Sequence, residues 1–203
     1  MPFLIVGLSI IIFSILSAYR NRHSRLQSEA DQNFWAREDA ANCVRRQDIS
    51  GLPYITIPSE IFSIDSVSDD TVCRAIQSLQ ALQEKKVLNL TGQTNTDLKM
   101  QFGPANLTLL MEYDQNYTDM LLAISDLSNR LIELDHIESA IPLLEFAVAT
   151  GSDISAHYTI LATYYKDNGQ SSKISDLKQQ ASQIATLMKQ PILQKLESIE
   201  AES

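Results

Sequence analysis

Cysteine, tryptophan and histidine are scarce in this chain of 203 residues: two Cys, one Trp and three His. Two cysteines, Cys43 and Cys73, cannot build the disulfide lattice of a small secreted domain, and a chain of this length buries a core without one. His23, His136 and His157 lie far apart, and none stands in an HExxH or His/Cys spacing suited to zinc. The phosphate-cradling GxGxxG and Walker-type glycine motifs are absent, as is the GxSxG elbow of serine hydrolases. Basic residues are in the minority, 16 against 25 acidic, and the net charge of −9 argues against non-specific nucleic-acid binding, which needs a basic face. No metal, cofactor or catalytic set is expected, and the chain reads as a non-enzyme.

What the chain has instead is a greasy start. Residues 2–19 (PFLIVGLSIIIFSILSAY) carry no charged side chain. Eighteen residues at helical rise span about 27 Å, close to the hydrocarbon thickness of a bilayer. A cleaved secretory leader is the rival reading, but no Lys or Arg precedes the run, and Leu16-Ser17-Ala18 puts a bulky residue where a small one is preferred. Arg20, Arg22, His23 and Arg25 follow directly, with no acid before Glu29, so the positive-inside rule holds the C-terminal side in the cytoplasm. The expectation is a single-pass anchor over 1–19 in the cell membrane, with a cytoplasmic body. In a reducing compartment Cys43 and Cys73 read as packing residues or free thiols, and the glycosylation-type triplets at Asn89, Asn106 and Asn116 carry no meaning. Residues 20–50 hold six basic and five acidic groups while 51–203 hold ten and twenty, so a basic collar precedes an acidic body.

From Arg20 to Asp48 the chain lacks Gly and Pro, and Leu26, Ala30, Phe34, Ala41 and Val44 fall roughly along one helical stripe. A juxtamembrane helix ending at Ser50-Gly51 is predicted, with Phe34 and Trp35 packed on the protein's own body rather than on a membrane or a partner. Residues 51–68, with two prolines and the alternation Tyr54-Ile55-Thr56-Ile57, read as an extended linker tied to the surface. Ser68, Asp69 and Asp70 supply cap and first-turn acids for a helix to about Lys86, with Val72, Ile76, Leu79 and Leu82 as its buried stripe. Over 87–104 the hydroxyl and amide side chains predict a helix start, with Thr94 or Thr96 as cap and Gly103-Pro104 as its stop; a binding loop is the alternative.

From about residue 116 a period of 34 residues emerges. Ile124, Leu127, Ser128, Leu131, Ala140, Leu144 and Ala147 align with Tyr158, Leu161, Ala162, Tyr165, Ile174, Lys178 and Ala181. Small residues recur where two helices must approach closely and large ones at the flanking ridges. Over 121–187 this pattern resembles the tetratricopeptide repeat (TPR) family. Ile124 and Tyr158 take the family's tryptophan site, Leu127 and Leu161 its leucine site, Ser128 and Ala162 its small glycine site, and Leu131 and Tyr165 its tyrosine site. Ala140 matches the alanine of the second helix, Leu144 its aromatic, and Ala147 and Ala181 its later alanine. Ile174, Lys178 and Ser152 depart from the pattern. Asp135 and Glu138 read as caps for the helix that holds Pro142.

The fold class expected is all-α: an N-terminal transmembrane helix followed by a short α-solenoid of TPR-like helical hairpins over 69–190, best in 121–153 and 155–187, with a C-terminal tail over 191–203 in which Pro191 ends the last repeat helix. The resemblance implies a groove lined by the first helix of each hairpin, and on that face it places Ser125, Asn129, Ile132, Thr159, Thr163 and Lys166. Only Asn129 and Lys166 would suit a grip on a terminal carboxylate; the remaining groups favour hydrogen bonds to an extended or helical segment. The function expected is a membrane-anchored adaptor that binds a protein or peptide partner. The alternative is a structural subunit of a membrane-associated oligomer.

Overall fold

The structure is a computed structural model that describes residues 16, 17, 19, 31–62, 64 and 69–201. The expected anchor over 2–19 lies outside the described residues apart from positions 16, 17 and 19. Among the described residues no helix is long and apolar enough to cross a membrane. The described residues are all-helical: α1 (31–42), α2 (Asp70–Gln83), α3 (Asn95–Phe102), α4 (Leu107–Glu133), α5 (Ile137–Ala149), α6 (Ser155–Asp167), α7 (Ser171–Ser182) and α8 (Lys189–Ala201), with 3-10 turns at Ser59–Phe62 and Pro104–Asn106. The chain divides into two compact units, residues up to 47 with 94–107, and residues 48–93 with 108–203.

In the first unit α1 ends at residue 42, short of the expected Ser50-Gly51, and the chain runs on without helix over 44–49. Its backbone has other partners there. The Gln47 amide donates to the Phe102 carbonyl at 3.0 Å, and the buried Asn106 side chain donates to the Gln47 and Phe102 carbonyls, both at 2.8 Å, while accepting from Arg46 Nε at 3.0 Å. Thr94 caps α3 and Asp97 returns a bond to the Thr94 amide, a reciprocal capping box. Glu38 takes the Lys99 ammonium and the Thr96 hydroxyl, and the Lys99 bond is the main reason its carboxyl is held below the ordinary value. Within this unit Phe34 and Trp35 are not packed into a core. They meet edge-to-face at 5.4 Å, but each is more than half exposed.

The second unit holds two cores that share α5. One gathers Val72, Leu79 and Leu82 of α2, Met120, Ile124, Leu127 and Leu131 of α4, and Ala140, Leu143 and Ala147 of α5. The other packs Ile141, Leu144 and Val148 of α5 against Tyr158, Leu161 and Tyr165 of α6, Ile174 and Leu177 of α7, and Ile192 and Leu196 of α8. A helix with apolar residues around most of its girth must be covered on both sides, and α5 is that helix. The stretch expected as a linker contributes core as well. Ile57 and Phe62 are buried in the first cluster, and the Ile55 amide donates to the Val87 carbonyl at 2.9 Å. Asp69 caps α2 through the Thr71 and Val72 amides, and its other oxygen takes the Arg130 guanidinium at 2.7 Å, which holds its carboxyl down at about 2. Pro191 stands in the first turn of α8, where its missing N–H leaves no bond unmade, and does not end a helix.

The 34-residue spacing recurs in the turns. His136 N–H bonds to Leu131 O at 2.8 Å, and 34 residues on Gln170 N–H bonds to Tyr165 O at 2.7 Å. Asp135 and Gly169, also 34 apart, are both left-handed, with φ of 62° and 67°. Asp135 is thus a turn residue, in the position after a helix end where glycine is favoured, and it does not cap α5. Ser128 and Ala162, another pair of the series, are both fully buried, and the Ser128 hydroxyl has no hydrogen-bond partner among the described residues. Ser128→Ala is therefore expected to stabilise the fold by about 1 kcal/mol, read as a higher urea midpoint. Of the three glycosylation-type asparagines, Asn106 and Asn116 are buried, and Asn89 donates its amide to the Thr150 carbonyl at 3.0 Å.

Candidate functional site

The C-terminal turns of α4, the first turn of α5 and the outer face of α6 enclose an open cleft of about 760 Å³. Residues 159, 163 and 167 form one ridge of α6, and 160, 164 and 168 the next, because positions four apart stack on a helix face. Ile132, Ile137, Ile160 and Tyr164 give the cleft an apolar floor. Asn129, Thr159, Thr163 and Asn168 add amides and hydroxyls, and Glu133, Glu138 and Asp167 add carboxylates; no Lys or Arg lines it. Arg130 pairs with Glu133 at 2.8 Å, whereas Glu138 and Asp167 have no ion-pair partner among the described residues.

Four of the six residues expected to face a groove come together here: Asn129, Ile132, Thr159 and Thr163. Lys166 lies beside the cleft and does not line it. Ser125 belongs to a different arrangement. Its hydroxyl donates to the Leu121 carbonyl at 2.8 Å, so its oxygen accepts from Nε2 of His157, also at 2.8 Å. The other ring nitrogen, Nδ1, then accepts from the Ser152 hydroxyl at 2.9 Å, and Ser152 Oγ takes the Ile154 amide. His157 is buried, and desolvation drives its value down to about 4, against a small upward pull from Asp153. It is a neutral bridge between α4, the 150–154 loop and α6, and the Ser125 proton is committed to a backbone carbonyl.

The carboxylates Glu133, Glu138 and Asp167 and the apolar Ile137, Ile160 and Tyr164 were not among the residues expected from sequence. The four-residue spacing of Thr159, Thr163 and Asp167 carried part of that signal; the α5 contribution depends on the turn geometry at Asp135. Among the described residues no group of His, Cys, Asp and Glu is placed to hold a metal ion. Compared with protein families, with curated proteins and with solved structures, the chain matches none.

Proposed function

We propose that the chain is a membrane-anchored, TPR-like helical adaptor that receives a basic, partly apolar segment of a partner protein in the cleft between α4, α5 and α6, and that it performs no catalysis. One observation carries the reading: an open cleft with an apolar floor, lined by three carboxylates and no Lys or Arg, of which Glu138 and Asp167 have no ion-pair partner among the described residues. A terminal-carboxylate grip is disfavoured by the same rim, since like charges oppose each other there. A helix or strand presenting an aliphatic anchor between Lys or Arg residues satisfies both floor and rim. The anchor over 2–19, with Arg20, Arg22 and Arg25 on its inner side, would confine the cleft to the cytoplasmic membrane surface and raise its effective concentration toward membrane-bound partners.

The test is site-directed photocrosslinking from the full chain in cells. A photoreactive residue at Thr163 is expected to trap a discrete protein partner, and one at the exposed Gln179 of α7 to trap none. Glu138→Lys with Asp167→Lys should lower that crosslink about tenfold while the helical signal is unchanged. Equal crosslinking at the two positions, or indifference to the charge reversal, would overturn the cleft as the binding site. Release of the chain from membranes by alkaline carbonate would overturn the anchor.

A further inference from the structure

Further back along α4, α2 and α4 border a second groove of about 480 Å³ that the adaptor reading does not use. The two helices run antiparallel. At one end Asp69, the cap of α2, binds Arg130 near the end of α4, and at the other the Asn116 amide of α4 donates to the Lys86 carbonyl just past α2. That alignment sets Arg74 across from Asp126 and Lys85 across from Asp119. Among the described residues none of these four side chains has an ion-pair partner. Arg74 contacts the Asp70 carbonyl and the Thr71 hydroxyl, Asp119 takes the Gln115 amide, and Lys85 and Asp126 form no ion pair among the described residues. Leu122, a large aliphatic side chain 54% exposed, also lines the groove from α4.

We propose that this groove is a self-association surface, closed by the same groove of a second copy of the chain around a two-fold axis parallel to α2 and α4. Charge complementarity under that symmetry favours this arrangement. A two-fold axis along the groove exchanges the walls and keeps positions along it. The second copy's Arg74 then falls over the first copy's Asp126, and its Lys85 over Asp119, and the reverse pairs form equally. Four opposite-charge contacts result. An axis across the groove would instead set Arg74 over Lys85 and Asp119 over Asp126, all like charges, so the electrostatics choose one of the two arrangements. A partner of uniform charge would satisfy one wall and oppose the other.

The experiment uses the full chain in a nonionic micelle, with mass measured by light scattering at low and high salt. The native chain is expected to form dimers that weaken as salt rises, because the exposed pairs are screened. Arg74→Glu with Lys85→Glu makes both walls acidic, and Asp119→Lys with Asp126→Lys makes both basic; each variant alone should raise the dissociation constant tenfold or more. An equimolar mixture of the two variants should form mixed dimers, and a chain carrying all four changes should pair with itself again. Helical circular dichroism checks that each variant is folded, and the mixture keeps the test decisive even where the fourfold variant fails to fold. A native chain that stays monomeric up to about 100 µM, dimers indifferent to wall reversal, or folded variants whose mixture does not associate would overturn the proposal.

Discussion

Gly103→Ala is expected to destabilise the first unit by about 4 kcal/mol, among the largest effects that a single methyl group can have. Gly103 ends α3 with φ 84° and ψ 147°, a region that side chains essentially never occupy. A Cβ there would also stand 2.7 Å from the Arg45 carbonyl oxygen and 2.9 Å from Arg46 Cα, both backbone atoms that cannot rotate away. The strap around Gln47 lies close to α3 because nothing projects from residue 103, and its bonds to Phe102 and Asn106 depend on that approach. Hydrogen exchange should show the effect directly, as lost protection at the Gln47 amide. Gly169→Ala is the control: φ is 67°, but nothing lies within 4 Å of its Cβ position, so only the backbone term of about 1 kcal/mol remains. Equal effects at the two glycines would show that the close approach at Arg45 contributes nothing.

Helical periodicity and end chemistry are local properties, and they were legible. Val72, Leu79 and Leu82 form the buried stripe of α2, Asp69 is its cap and Thr94 is the cap of α3, because these signals act within a few residues of themselves. The 34-residue alignment reaches further: Ile124 and Tyr158, Leu127 and Leu161, and Ala147 and Ala181 are each buried to the same degree. What stayed hidden depends on which distant surfaces meet. Val44 fits a helical stripe as well as a strap, and only the Phe102 carbonyl and Asn106 decide for the strap. Phe34 and Trp35 look like core by composition, yet within their own unit they pack on each other and stay more than half exposed. Ser125 stands at a groove-facing register position, but a histidine 32 residues away claims it. Likewise Glu138 enters the cleft because Asp135 turns the chain left-handed, a conformation that an aspartate only sometimes adopts.

That histidine makes stability depend on acidity. Folded, His157 binds a proton only near pH 4, whereas in the unfolded chain it binds one near the ordinary 6.5. Above pH 6.5 both states are neutral at this side chain and its contribution to folding is intact. As pH falls below 6.5 the unfolded chain takes up a proton that the folded one refuses, so stability declines progressively and levels off near pH 4. The difference in proton affinity amounts to about 3 kcal/mol at the bottom of that window. Its cause is geometric: protonation would put a charge in the core and would force Nδ1 to donate, against the hydroxyl hydrogen that Ser152 now offers it. His157→Gln keeps a donor and an acceptor for the two serines but does not titrate. Urea unfolding at pH 7 and at pH 4.5 should therefore separate the native chain's midpoints widely and the variant's much less. The carboxylates that titrate in the same range, and Asp69 below it, are common to both proteins and cancel in the comparison. If native and variant lose stability in parallel over this range, then His157 is not held neutral by its burial, and the bridge from Ser125 to Ser152 does not set the acid limit of the fold.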